Sequence, residues 1–158
     1  MSENFRRMIE LAETVFDARN DPQQLEVTES VIAQLKNLHP ATISDFVSGD
    51  GPVCWILLIP STLQTMEDFL KGDITEAELL QASLNENDFD ALYLCSALVL
   101  PEFRKKGIAY RLTHEAILSI QSTCKIKFLY AWPFSEEGKR LSEKLCKNFN
   151  LSLRIRTK

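Results

Sequence analysis

Chain breakers are scarce in this sequence. Of its 158 residues only 5 are glycine and 6 are proline, where average usage would give roughly 19 of the two together. Collagen-like and low-complexity architectures are thereby excluded, and long regular elements are expected. Histidine is scarcer still, with His39 and His114 alone. The four cysteines, Cys54, Cys95, Cys124 and Cys146, form no C-x-x-C pair, so a zinc site is not expected. Cys54 and Cys95 lie in apolar runs, where a reduced, buried thiol is the expectation. Positive charge is in deficit: the net charge is −4 and the pI about 5.3, which argues against general nucleic-acid binding. No apolar run approaches the ~18 residues of a membrane span, and the N-terminus lacks the apolar core of a signal peptide. A cytoplasmic, reducing compartment is the default expectation.

What is present is an ordinary globular mixture, 45% hydrophobic and 25% charged, in a length that suits a single domain of ~100–200 residues. Asn4 to Ala18 carries Phe5, Met8, Ile9, Ala12, Val15 and Phe16 at helical spacing. A second helix starts near Thr28 and stops before Pro40. Thr42 to Val47 and Val53 to Ile59 read as a hairpin of strands, the second apolar enough to be buried on both faces. Residues 61 to 86 read as two short helices, the second opened by a Thr75/Glu78 capping box. Asp90 to Leu100 is a second buried strand, stopped by Pro101. Lys125 to Trp132 is a strand with Ile126, Phe128, Tyr130 and Trp132 on one side, and Ser135 caps the helix after it. The tail alternates Leu151, Leu153 and Ile155 with Ser152, Arg154 and Arg156, a half-exposed strand. This order predicts an α/β fold, a mixed, mostly antiparallel central sheet with helices on both faces.

The most informative stretch runs from Leu98 to Ala109. A buried strand leads through Pro101 into a charged loop, Glu102 to Lys106, and Gly107 opens a helix carrying Ile108, Leu112, Ala116, Ile117 and Ile120. Backbone N–H groups at a helix start are unpaired, and the dipole adds roughly half a positive charge there. Small residues let an anion approach, and Arg104, Lys105 and Lys106 concentrate positive charge on an otherwise acidic chain. The arrangement suits a phosphate or pyrophosphate. It is neither a dinucleotide fingerprint nor a P-loop, because the further glycines and the G-K-S/T are missing.

At Arg104, Gly107 and Ala109 the sequence resembles the GNAT superfamily of N-acetyltransferases, whose cofactor motif is a strand, then R/Q-x-x-G-x-G/A opening a helix. The likeness covers Asp90 to Lys158 well and the Thr42–Ile59 hairpin loosely. It makes residues 61 to 86 a helical insertion in a single domain of residues 1–158. Further on, Ser135, Gly138, Leu141 and Ser142 stand where the family often has Asn, Ala and Leu-Tyr, and Cys146-Lys147 stands in place of Gly-Phe. The resemblance implies acetyl-CoA as co-substrate. Its pantetheine arm would pair with backbone of Ala97, Leu98 and Val99, in a gap between two splayed strands. Its pyrophosphate would take N–H groups from Lys105, Lys106, Gly107, Ile108 and Ala109 beside Arg104, with Ser135 and Gly138 near the far end.

The activity implied is direct attack of a neutral primary amine on the thioester. Tyr93, on the strand before the motif, and Ser142, in the place of a family tyrosine that protonates the thiolate, are the catalytic candidates. Both fit poorly. A phenol of pKa about 10 is a weak base at neutral pH, and a serine hydroxyl is a weaker acid than tyrosine. Asp88 and Asp90 lie just before that strand, where Asp90 also reads as a strand-edge residue, and Asp45, on the hairpin, has little positional support. The alternative is a non-catalytic acyl-CoA-binding or protein-interaction module on the same fold. The acceptor, small molecule or protein, is not identified, and the Leu151–Ile155 strand offers an edge for a homodimer.

Overall fold

A hydroxyl side chain opens five of the six helices found among the described residues, which in this computed structural model are 2–16, 21–133 and 135–157. Ser2 accepts an N–H one turn into α1 (Glu3–Phe16), and Thr28 does so on α2 (Glu29–Leu38). Thr62 caps α3 (Leu63–Lys71), Thr75 caps α4 (Glu76–Leu84) and Ser135 caps α6 (Glu136–Phe149). The Thr75/Glu78 capping box forms in both directions. Helix α5 (Ile108–Gln121) is the exception: it begins at Gly107 with no side-chain cap. The expected end of the first helix at Ala18, and the side chain of Phe16, lie outside the described residues.

Five strands form one sheet in the order β1 (Ile43–Ser48), β2 (Gly51–Ser61), β3 (Ala91–Val99), β4 (Phe128–Ala131) and β5 (Ser152–Ile155). The first two pairings are antiparallel and the last two parallel. The sheet is therefore mixed, and its two long ladders, β1–β2 and β2–β3, are the antiparallel ones, as expected. Helices α5 and α6, of 14 residues each, are crossovers long enough to return the chain to the same end of the sheet.

Helices cover both faces. Ile56, Leu58, Leu92, Leu94 and Leu129 meet Ile117, Ile120 and Leu145 of α5 and α6. On the opposite face Leu57, Ile59, Tyr93 and Tyr130 meet Leu35, Met66, Phe69, Leu79 and Leu80 of α2, α3 and α4. Helix α1 seals the end of that face, with Met8 against Val53, Leu98 and Leu100.

Two expectations fail at strand ends, where alternation stops. Ile126 packs with α5 and α6 rather than with Tyr130, because its N–H turns back to the Cys124 carbonyl and β4 starts only at Phe128. Arg156 follows β5 and is 5% exposed. Its guanidinium lies 4.0 Å from the Trp132 ring centre and 4.4 Å from that of Phe69.

Candidate active site

Strands β3 and β4 pair only from Ala91/Phe128 to Leu94/Ala131. Beyond that point they separate, for two local reasons. Cys95 is an extra residue on β3: Leu57 faces Ser96 and Leu58 faces Leu94, so the β2–β3 register skips it. Such a bulge bends its strand and increases the twist. On the other side Pro133 has no N–H to donate, and the chain turns at once into the Ser135 cap of α6. A shallow, half-open cleft of about 50 Å³ lies between them. Leu94, Cys95, Ser96 and Ala97 line one side. Ala131, Trp132, Pro133, Ser135, Gly138 and Ser142 line the other, and Val15 of α1 reaches the rim.

The bulge also decides which backbone groups face the opening. Leu100 donates its N–H to Val53 of β2 (2.9 Å). By strand alternation, Leu98 also faces β2, while Ala97 and Val99 face away from it. The Val99 carbonyl accepts from Arg104 Nε (3.0 Å). Of the three residues expected to offer backbone to a ligand, Ala97 is thus left with N–H and C=O toward the cleft. Leu98 turns to β2, and its side chain is buried under α1.

The loop after β3 is exposed from Arg104 to Gly107. Lys105 and Gly107 both take left-handed backbone angles, φ 63 and φ 77, which coils the loop tightly before α5. The helix start is bare of side-chain caps, so the N–H groups of Ile108 and Ala109 keep no intrahelical partner. Arg104 folds back to β3, and the Lys106 ammonium lies 5.4 Å from the Phe103 ring centre. Arg111, one turn into α5, brings its Nη1 to the Lys106 carbonyl (3.3 Å). Its spacing of four from Gly107 was available in the sequence, and it adds a cation that sequence reasoning missed.

On the α6 side, the Ser135 hydroxyl accepts from the Gly138 N–H (3.1 Å), and the Ser142 hydroxyl donates to the Gly138 carbonyl (2.9 Å). Ser142 lines the cleft but is fully buried, and its proton points back into its own helix. A Cβ on Gly138 would meet the Ser135 hydroxyl at 3.3 Å, so the glycine keeps this wall low.

Tyr93 lies behind the cleft, not in it. It is fully buried and donates its hydroxyl to Glu76 Oε2 (2.6 Å). Burial, then the Glu76 charge, push its ionisation well above the usual phenol value. It is therefore a neighbour that holds Glu76, and it stays protonated at neutral pH. Glu76, first residue of α4, is 4% exposed. It accepts from the Leu25 N–H (2.6 Å), from Tyr93 and from the Cys95 thiol (3.5 Å). Desolvation raises its carboxyl above the ordinary value against those three donors and Arg156. Nothing in the sequence marked Glu76: an acid just inside a helix cap reads as a partner for the dipole. Its meeting with β3 is long-range.

No protein-family model and no curated protein matches the chain. Among solved structures it is similar to the GphF GNAT-like decarboxylase in complex with isobutyryl-CoA, at 16% identity and a TM-score of 0.50 over 78% of this chain. It is similar also to the NatB acetyltransferase complex bound to a bisubstrate inhibitor. That match has 16% identity and a TM-score of 0.50, and covers 87% of this chain and 67% of that one. The chain spans only 60% of the decarboxylase's length. Likeness at this identity concerns the fold alone, and it is the GNAT-like α/β fold that the resemblance at Arg104, Gly107 and Ala109 implied.

Proposed function

We propose that the chain binds acetyl-CoA in the β3–β4 cleft and transfers the acetyl group to a primary amine by direct attack. The observation that carries this reading is the splay itself. One wall keeps the Ala97 backbone unpaired, the other is low at Ser135 and Gly138, and an uncapped helix start follows the end of β3. An extended thioester with an anionic tail suits this combination. Ala97 backbone would align the pantetheine arm, and the N–H groups of Lys105 through Ala109 would take the pyrophosphate, with Lys105, Lys106 and Arg111 adding charge. A different backbone N–H on the splayed part of β3 would supply the donor that the tetrahedral intermediate needs. The N–C bond forms first; the tetrahedral intermediate then collapses as the C–S bond breaks and the thiol leaves.

Residues 61–86 act in this reading as an insertion within one domain, beneath the acceptor side. The acceptor is a small-molecule amine or a protein amine. The compartment is cytoplasmic, in keeping with four free thiols. No helix among the described residues is long and apolar enough to cross a membrane. The edge strand β5 is the surface through which a homodimer would form.

The second reading is an acyl-CoA-binding module without catalysis. It is favoured by one observation: Tyr93 and Ser142 both commit their hydroxyl protons to internal acceptors. The deciding experiment combines calorimetry of acetyl-CoA binding with thiol release across polyamines, aminoglycosides, amino acids and peptides with free N-termini. Transfer to any amine supports the enzyme; binding with no thiol release supports the module. Gly107→Glu places bulk and negative charge in the cradle and is expected to abolish acetyl-CoA binding. Unchanged binding by a folded Gly107→Glu protein removes the site.

A further inference from the structure

We propose that Cys95 and Glu76 form a proton relay on the acceptor side of the cleft: the Cys95 thiol takes the proton released by the attacking amine while its own proton passes to Glu76. The inference rests on the acyl-transfer reading above. Its basis is a chain of contacts from open cleft to buried carboxylate. Cys95 is the bulged residue of β3 and lines the cleft. Its Sγ lies 3.5 Å from Glu76 Oε2, within the range of a thiol hydrogen bond. Asp45, Asp88 and Asp90 do not line the cleft.

Glu76 is held from every side that meets it. The Leu25 N–H takes Oε1, while Tyr93 and Cys95 of β3 share Oε2. The Glu76 N–H itself goes to the Gln23 carbonyl (3.0 Å). Arg156, beyond β5, is the cation that acts on the carboxylate. Burial lifts the proton affinity of Glu76 above that of an exposed carboxylate, which makes it a better acceptor. Burial and the Glu76 charge keep the Cys95 thiol protonated at neutral pH, as a relay requires.

The step balances. The amine nitrogen bonds to the acyl carbon and the carbon–sulfur bond breaks. The amine proton moves to Cys95 Sγ, and the Cys95 proton moves to Glu76 Oε2. The leaving thiolate is protonated by water in the open cleft, and Glu76 returns its proton along the same path after product leaves.

Wild type, Glu76→Gln, Cys95→Ala and Cys95→Ser are compared in acetyl-CoA calorimetry and in thiol release with the amine panel across pH. Expected are equal acetyl-CoA affinities, with kcat lower by about a hundredfold in Glu76→Gln and Cys95→Ala and KM for the amine little changed. The acid limb of the kcat profile disappears in Glu76→Gln, and Cys95→Ser recovers part of the rate because a hydroxyl passes protons. A folded Glu76→Gln with the wild-type rate and pH profile overturns the relay alone. If Glu76→Gln fails to fold, wild-type turnover by Cys95→Ala overturns it. Wild type that binds acetyl-CoA but acetylates no amine overturns the relay together with the transferase reading. Absence of binding removes the cofactor site beneath both.

Discussion

Tyr93 and Glu76 share one proton between two buried groups, and their environment assigns it to the phenol. Tyr93→Phe leaves Glu76 short of a donor in a dry site. Loss of such a partner costs about 1–3 kcal/mol. Urea denaturation is expected to show that loss, with acetyl-CoA affinity unchanged because Tyr93 does not line the cleft. Glu76 also has a signature in pH. Its folded carboxyl lies above the ordinary value near 4.5 because burial penalises the anion, so the native state binds the proton more tightly than the unfolded chain. By linkage, stability falls as pH rises from 4.5 through the folded value, then levels off. Glu76→Gln has no proton to lose, and its stability is expected to gain on wild type over that interval. Glu102 has the opposite sign. The Arg7 fork holds it at about 2, so its contribution is present above the ordinary 4.5 and disappears as pH falls toward 2.

Helix starts differ from one another at the scale of elements. Five are closed by hydroxyls, and α5 is left open at a glycine whose φ of 77 disfavours any side chain. Asparagine tolerates that region better than alanine. Gly107→Asn is therefore expected to melt above Gly107→Ala in thermal scans. The start of α4 is closed by its capping box, and it holds Glu76 in the first turn. Thr75→Ala removes that cap at a cost of about 1 kcal/mol. If α4 serves the acceptor side, amine turnover falls in this variant while acetyl-CoA affinity does not. Equal losses in both would make α4 a support for the whole cleft.

Arg156 links parts of the molecule that are distant in sequence. It leaves β5, stacks on Trp132 beside the cleft and on Phe69 of α3, and reaches Gln23 Oε1 ahead of α2. A desolvated cation over aromatic rings contributes about 2 kcal/mol. Arg156→Leu is expected to lower Tm by roughly 4–8 °C for a domain of this size. The tail, α3 and the cleft wall are thus one packed unit. The pairing of β5 with β4 through the Ala131 carbonyl (2.9 Å) fixes where Arg156 enters.

Local chemistry was legible in the sequence wherever short-range physics governs. The caps at Thr28, Thr75 and Ser135, the stop before Pro40 and the buried strands around Val53–Ile59 and Asp90–Leu100 all follow from neighbours a few residues apart. So does the open start of α5, and with it the resemblance to the GNAT fold. The cleft was legible in outline: Ala97, Ser135, Gly138 and Ser142 do line it. The rest required contacts across the chain. Only the tertiary structure turned Leu98 away from the cleft, because a one-residue bulge at Cys95 resets which backbone groups face outward. Only packing buried Tyr93 and brought Glu76, 19 residues before Cys95, against the same bulge. A carboxylate's role depends on what desolvates it and what donates to it, and neither is written in the residues beside it.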